Sequence, residues 1–210
     1  NWYLTENDQS NDGKFTKYLE KPKNRKYDPE LFDALTEIAF RNDKGVDMVE
    51  SAKLIPNAAY FSAILKSEKL PVVERYIFRQ EWHHQTMQVL AEADLVFCDP
   101  DNGPIGSKSI GTKQSEKYDS PSELADYYNR GQNVVYFCQK ARRTDEAWEF
   151  TKREMLSKVA GASVIVLTFH GGQQRSYIFV VHAEDYNGYR KALNGFLQIE
   201  WKDYFDEEKI

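Results

Sequence analysis

Four apolar runs constrain the fold of this chain more than any other feature of its sequence. They are LVFC at 95–98, NVVYFC at 133–138, SVIVLTF at 163–169 and YIFVV at 177–181. A strand that is apolar at consecutive positions, instead of at every second one, is typically buried on both faces. Because helical patterns separate the first three runs, the sequence predicts an α/β fold, a Rossmann-like three-layer sandwich with a mostly parallel sheet. Only the turn HGGQQRS separates the last two runs, which predicts a C-terminal antiparallel hairpin.

Recognisable helix start signals lie between these runs. Asp28 followed by Pro29 is an N-cap with proline at the first helical position, and the sequence SPSE at 120–123 is a capping box. Apolar spacing predicts further helices over 57–65, 80–93, 144–158 and 184–197. The short segments 2–4 and 46–49 are predicted to be strands.

The chain is long enough for one sizeable core. Its 210 residues, of which 41% are hydrophobic, predict a single domain over 1–210. No run reaches the length of a membrane span, and NWYLTENDQS lacks the basic and apolar regions of a signal peptide, so we expect a cytoplasmic protein without a membrane partner. Because the chain opens in strand-like residues without a methionine, we expect that native N-terminal sequence is missing. With a formal charge of −5, a nucleic-acid partner would need a local basic strip.

The first apolar run ends in the loop DPDNGPIG, which is rich in charged and turn-forming residues. In an open parallel sheet the ligand binds beyond the carboxyl ends of the strands, where loops from neighbouring strands converge. We therefore take Asp99, Pro100, Asp101 and Asn102 as candidate catalytic residues. Asn102 followed by Gly103 favours positive φ and a tight reversal. The same residues are equally typical of a polar turn that only closes the strand.

Two carboxylates this close together support three kinds of chemistry. Asp99 and Asp101 could bind Mg²⁺, act as a general base or electrostatic anchor, or accept hydrogen bonds from an amino group on a flat ring. A calcium loop of the EF-hand type does not fit, because Gly103 arrives one residue early and no glutamate follows at the required distance. A zinc site does not fit at His83 and His84, because adjacent residues on a helix point about 100° apart.

Four further residues are candidates for holding a cofactor. Glu50 follows the predicted strand 46–49, where Rossmann-like sheets often have an acid that accepts from a ribose hydroxyl. Glu6 and Asp12 follow the first predicted strand and could join the acidic loop in one crevice. Asp12 and Gly13 form a candidate ligand loop. For each of them a solvated loop position is the competing interpretation.

Candidate substrate-binding residues occur in two places. The first place is the end of NVVYFC and the residues just after it, which include Gln139, Arg142 and Arg143. If the two strands are neighbours, these residues lie on the same edge as the DPDNG loop. Basic side chains there could bind phosphates. Lys117 and Tyr118 lie between the DPDNG loop and the next helix and could close over the crevice. A solvated helix entrance is the competing interpretation for the basic residues.

The segments DLVFCDPDNG, QNVVYFC and VIVLTFHGGQQRSYIFVV together resemble a family of uncharacterised bacterial proteins with a DPDNG signature. That family resembles, in layout, Rossmann-type S-adenosylmethionine (SAM) methyltransferases such as the large-subunit rRNA adenine-N6 enzymes and the three-Cys-motif partner proteins. The resemblance implies SAM as cofactor and a nucleic acid or nucleotide as substrate. It also implies that Asp99 and Pro100 match the first half of a DPPY-type motif, which contacts the target amine. Asp101 and Asn102 stand where that motif has its second proline and its aromatic residue.

The sequence leads to one main hypothesis and two alternatives. The main hypothesis is a SAM-dependent methyltransferase-like enzyme that acts on nucleic acid or a nucleotide, with its site around the DPDNG loop. The first alternative is a Mg²⁺-dependent nuclease or nucleotide-cleaving enzyme with Asp99 and Asp101 as metal ligands. The second is a non-catalytic binding module that kept the fold and lost the chemistry.

Overall fold

The computed structural model describes residues 1–6, 16–41, 45–105 and 110–208. The chain divides into two compact units. The larger unit comprises Asn1–Glu6 and Phe61–Ile210, and the smaller unit comprises Asn7–Tyr60. The DPDNG loop and all the strands of the described residues belong to the larger unit.

The described part of the smaller unit is helical. Two short 3-10 helices, Lys17–Glu20 and Pro22–Lys26, precede α1 (Pro29–Phe40) and α2 (Val46–Ser51). The Asp28 carboxylate accepts a hydrogen bond from Leu31 N–H at 2.9 Å, which confirms the predicted cap of α1.

Two predictions that begin in this unit are wrong. Residues 46–49 belong to helix α2 and not to a strand. Their apolar residues Val46 and Val49 are one helical turn apart, so a run this short fits both periods. No helix begins at Asn57, which has a left-handed φ of 58°.

The larger unit is built on a five-stranded sheet. Its strands are β1 (Leu95–Cys98), β2 (Asn133–Gln139), β3 (Ser163–Phe169), β4 (Arg175–Val181) and β5 (Phe205–Glu208). Its helices are α3 (Val72–Val89), α4 (Pro121–Asn129), α5 (Asp145–Met155) and α6 (Tyr186–Phe196). The spatial order is β1-β2-β4-β3-β5. β1 and β2 are parallel, and every other neighbouring pair is antiparallel.

The prediction of a Rossmann-like sandwich with a mostly parallel sheet is wrong, because the sheet is mixed. The predicted α/β class is right. The hairpin of β3 and β4 is confirmed, but β4 lies in the centre of the sheet, beside β2. An apolar run indicates that a strand is buried on both faces and does not indicate its direction, so a central antiparallel strand has the same pattern. No pattern predicts the edge strand β5, because its sequence FDEE contains three acids.

Helix α3 begins at Val72, directly after Pro71, and not at residue 80 as predicted. The first half of this helix inverts the usual pattern of burial. Arg75 and Arg79 are buried, whereas Val73 is 72% exposed. A prediction that relies on apolar residues facing the core therefore misses this half of the helix.

One face of the sheet forms the main core with α3, α4 and α5. The core residues of β1, β2 and β4 occupy alternate positions and are Val96, Cys98, Val134, Tyr136, Cys138, Ile178 and Val180. Trp82, Leu124 and Trp148 pack into the same core from the three helices. The Trp148 indole also donates a hydrogen bond to Cys138 O at 3.0 Å, so α5 is fixed to the end of β2.

A buried ion pair joins α3 to α4 at the side of this core. Arg79 Nε lies 2.5 Å from Glu123 Oε1, and a terminal guanidinium nitrogen donates to Oε2 at 2.8 Å. The two side chains are only 2% and 5% exposed. Arg79 also donates to Tyr118 O at 2.7 Å, and the Tyr3 hydroxyl donates to Glu123 Oε2 at 3.1 Å. Burial alone would raise the pKa of Glu123, but Arg79 holds that pKa below its usual range.

We expect Arg79→Met to lower the free energy of unfolding by about 3–5 kcal/mol, because it leaves the Glu123 carboxylate buried without its counter-charge. Arg190→Met is the matched control. Arg190 pairs with Glu207 where the two side chains are 34% and 31% exposed, and losing that pair should cost no more than about 1 kcal/mol. Chemical denaturation of both variants and the wild type measures the two losses. Equal losses would show that the buried pair does not hold the fold.

Candidate functional site

The DPDNG loop and the end of β2 lie side by side. β1 and β2 are parallel neighbours, with Cys98 paired to Tyr136. The loop after Cys98 therefore runs beside the last residues of β2, and Gln139 Nε2 donates a hydrogen bond to Asp101 O at 3.3 Å. The two segments reach the same edge of the sheet, and the condition that their strands are neighbours is confirmed.

Gly103 allows the loop to cross close to β2. Its φ is +74°, as the Asn-Gly pair predicts, and a Cβ added here would lie 2.8 Å from Phe137 O. On its other side the loop binds the segment before α4. Asp119 N donates to Gly103 O at 3.3 Å, and Ile105 N donates to Asp119 O at 2.9 Å. The loop is thus held between β2 and this segment.

Burial in the fold perturbs Asp99, the first acid of this loop. It is half-buried, and burial raises the pKa of its carboxyl to about 6. Asp101 adds to this rise, whereas the guanidinium of Arg175 opposes it. An acid with such a pKa exchanges its proton near neutral pH, which is what general acid or base catalysis requires. Asp101 itself is exposed, and Lys117 Nζ lies 3.6 Å from its carboxylate.

An arginine-lined pocket of about 320 Å³ opens beside the loop. Its lining residues are Asn102, Tyr118, Gln139, Ala141, Arg142 and Arg143. All of these except Ala141 are candidates from the sequence, and the structure brings them together from three segments. Arg143 donates to Gln139 O at 2.8 Å, which holds the β2–α5 loop against the strand. Arg142 is exposed and forms no ion pair with a described residue, so its guanidinium is open to an anion.

The remaining candidates from the sequence have other surroundings. Pro100 is buried within the loop. Glu6 forms ion pairs with Lys66 and with Lys69, the latter at 3.7 Å. Glu50 lies in α2 of the smaller unit, so the prediction that it follows a strand is wrong. The other two cofactor candidates, Asp12 and Gly13, lie outside the described residues.

Two charged groups at this site have no clear signal in the sequence. Arg175 begins β4 and lies opposite Gln139 of β2 in the sheet register. It can be assigned to the site only once the strand order is known. Asp119 is 2% exposed, and neither of its carboxylate oxygens accepts a hydrogen bond from another described residue. Burial and then the nearby Glu123 raise the pKa of Asp119 well above its usual value. In the sequence it has the appearance of an ordinary loop acid before a helix cap.

A larger depression, of about 770 Å³, is lined by α3, α4 and the turns that follow them. His83 Nε2 lies 3.1 Å from the Asp126 carboxylate, and His84 Nε2 lies 3.0 Å from the Gln88 amide nitrogen. The adjacent histidines therefore have different partners, as their helical spacing predicts. This depression contains no residue of the DPDNG loop or of a strand end, so the pocket beside the loop is the candidate site.

Comparison of the chain with protein-family models, with curated proteins and with solved structures finds no match. Within the described ranges, no helix combines the length and the apolar character needed to cross a membrane. Among residues 1–6, 16–41, 45–105 and 110–208, no three His, Cys, Asp or Glu side chains are grouped so that they could hold a metal ion.

We expect Gly103→Ala to destabilise the protein by about 2–4 kcal/mol. Alanine would have to adopt an unfavourable positive φ, and its Cβ would clash with the Phe137 carbonyl oxygen. Gly131→Ala is the control. Gly131 also has a positive φ, of +99°, but open space surrounds the position of a Cβ, so its loss should be about 1–2 kcal/mol. Denaturant unfolding of the two variants measures the difference. If both lose the same stability, contact with β2 does not constrain the loop.

Proposed function

We propose that the strand-end site binds a phosphorylated ligand, either a nucleotide or a stretch of nucleic acid, and that Asp99 is its proton-exchanging group. The observation that carries this proposal is the arginine-lined pocket beside the loop, in which Arg142 and Arg143 are adjacent. A guanidinium presents its N–H groups in a fork that matches two phosphate oxygens. Asn102 and Gln139 add neutral hydrogen-bonding groups to the same pocket.

The local charges favour an anion although the chain carries a formal charge of −5. Two lysines at this end of the sheet, Lys117 and Lys140, already have carboxylate neighbours. Arg142 and Arg143 form no ion pair with any described residue, so their charge is not compensated. A phosphate group would supply the missing negative charge.

The state of Asp99 suits chemistry on a nucleotide. With a pKa of about 6, its carboxyl is mostly ionised at neutral pH and still takes up a proton readily. As a carboxylate it accepts hydrogen bonds from the amino group of a base, and as a base it can remove a proton from a reacting group. Asp99 belongs to the same loop as Asn102, which lines the arginine pocket, and the charge of Arg175 also acts on its carboxyl.

SAM-dependent methyl transfer to such a ligand stays a prediction. In a Rossmann-like sheet the ligand crevice lies at the ends of several parallel strands. Here β4 is antiparallel to β2, so only β1 and β2 form a parallel pair beside the loop. Calorimetry and thermal shift at millimolar SAM test the cofactor. Binding heat or a shift would support methyl transfer, and the absence of both would remove it from the proposal.

Mg²⁺-dependent cleavage of a nucleotide or nucleic acid is the second candidate. Repulsion from Asp101 contributes to the raised pKa of Asp99, and a divalent cation between the two carboxylates would relieve that repulsion. Asp99 and Asp101 would be its protein ligands. Cleavage of the substrate that requires Mg²⁺, and that the Asp101→Asn variant no longer performs, would favour this chemistry over methyl transfer.

We expect the double variant Arg142→Ala/Arg143→Ala to bind a fluorescent single-stranded decanucleotide about 10- to 100-fold more weakly than the wild type, because hydrogen bonds to charged groups are lost. Arg153→Ala, on the exposed surface of α5, is the control for simple charge removal. Fluorescence anisotropy at two salt concentrations measures the affinities, which should fall as salt rises. If Arg153→Ala alone weakens binding as much as the double variant, the pocket is not the phosphate site.

We expect Asp99→Asn to abolish ligand binding or turnover and to raise the stability of the protein at pH 8 by about 1–2 kcal/mol. The folded-state pKa of Asp99, about 6, lies above its unfolded value. The wild type therefore loses stability as pH rises from about 4 to about 6, and asparagine removes that loss. The two proteins should differ least near pH 4.

Thermal melts at pH 4, 6 and 8, with and without the decanucleotide, test this expectation. Asp101→Asn is the control, because Asp101 is exposed and its replacement should change stability by less than about 0.5 kcal/mol. A lower melting temperature for Asp99→Asn, together with a full ligand-induced shift, would mean that the DPDNG loop is only a turn.

A further inference from the structure

The sheet face opposite the main core carries an aromatic side chain that is open to solvent beside the loop. Along β1, Val96 and Cys98 are 2% exposed and belong to the main core, whereas Phe97 is 39% exposed. Side chains alternate between the two faces of a strand, so Phe97 and Asp99 lie on the same face. An exposed phenyl ring next to a half-buried acid is therefore available to a ligand at the end of β1.

A second ring, from β4, completes this surface. The pairing of β2 with β4 sets Phe137 opposite Tyr177, and continuing the pairing of β1 with β2 sets Asp99 opposite Phe137. The ring centroids of Phe97 and Tyr177 are 6.5 Å apart, and the ring planes are within 28° of parallel. Burial chiefly raises the pKa of Tyr177, and the charges of both Arg175 and Asp99 also act on it. The acid, the guanidinium and the two rings are thus neighbours.

We infer that Phe97 and Tyr177 form a stacking surface for an unpaired nucleobase and that Asp99 accepts hydrogen bonds from the N–H groups of that base, with guanine preferred. This inference rests on the proposed phosphate-binding function of the same site. Aromatic side chains on an open surface stack on bases of any sequence, since every base has a flat face. In a duplex that face is covered by neighbouring bases, so the base must be unpaired.

The preference for guanine follows from the number of donors that one carboxylate can satisfy. Guanine presents two adjacent N–H groups on its pairing edge, one from the ring and one from the amino group, and the two oxygens of Asp99 can accept both. Adenine, cytosine and uracil each present one donor group there, beside acceptors that a carboxylate repels. A carboxylate on the pairing edge therefore distinguishes guanine from the other three bases.

The aromatic rings and the arginine pocket lie at the same end of the sheet. Tyr177 and Arg175 are two residues apart on β4, which corresponds to roughly 6.6 Å along the strand. Arg175 lies opposite Gln139 of β2 in the sheet register, and Gln139 lines the arginine pocket. A ligand whose base lies on the rings can therefore extend along β4 towards Gln139 and the arginine pocket.

Calorimetry with four probes tests the inference: GMP, AMP, ribose 5-phosphate and a single-stranded pentanucleotide that contains one guanine. Ribose 5-phosphate has the phosphate and sugar but no base. We expect the wild type to bind GMP about 5- to 100-fold more tightly than ribose 5-phosphate and more tightly than AMP. Phe97→Leu should remove most of the advantage of GMP and leave the affinity for ribose 5-phosphate unchanged. Phe150→Leu, at a ring that is 62% exposed on α5, should change neither.

The outcomes separate this inference from the function on which it rests. Equal affinities of the wild type for GMP and ribose 5-phosphate would overturn the stacking surface and leave the phosphate site standing. Failure of all four probes to bind would overturn both. A pentanucleotide that binds far more tightly than GMP, with the same sensitivity to Phe97→Leu, would identify the ligand as single-stranded nucleic acid, and equal binding would identify a free nucleotide. A preference for AMP over GMP would overturn the role assigned to Asp99.

Discussion

The ion pair between Arg79 and Glu123 is the interaction on which the candidate site depends. Taking both charges out of water is unfavourable, and the pair is tolerated because their remaining hydrogen-bonding groups also have partners. Those partners are Tyr3 and the main chain at Ser115 and Tyr118. Tyr118 lines the arginine pocket, and Asp119, which follows it, binds the main chain of the DPDNG loop. The position of the loop is thus set from the core and does not depend on the loop's own sequence alone.

Asp119 shows that this region keeps a group that stability alone does not favour. Its carboxyl is buried, no other described residue donates a hydrogen bond to it, and the charge of Glu123 is close by. Burial of an unpartnered polar group destabilises a fold, and such groups are tolerated most often at functional sites. Asp99, at the end of β1, is a second carboxyl whose pKa burial raises. Asp99 and Asp119 are thus two acids with raised pKa values on either side of one loop, a feature typical of functional sites.

The sequence predicts what local chemistry determines and misses what depends on strand order. Strands β1 to β4, the hairpin and the cap at Asp28 are predictable, because apolar runs and capping residues act within a few positions. The direction and central position of β4 are not, because burial on both faces produces the same run in either direction. Site residues at the carboxyl ends of β1 and β2, such as Asn102 and Arg142, can be predicted from the runs that they follow. Arg175 and Tyr177 stand at the start of a strand, which a parallel sheet would have at its opposite edge.

The mixed topology also changes which part of the sheet is open to a ligand. A parallel sheet covered by helices on both faces leaves only the crevice beyond its strand ends. Here Tyr189 of α6 packs on Phe179 of β4 on the second face, with ring centroids 6.4 Å apart, and Phe97 of β1 stays exposed. The antiparallel β4 brings Tyr177 and Arg175 to the end of the sheet where Asp99 lies. The DPDNG loop itself contains no aromatic residue, and the neighbouring strands supply the rings on the same face as its first acid.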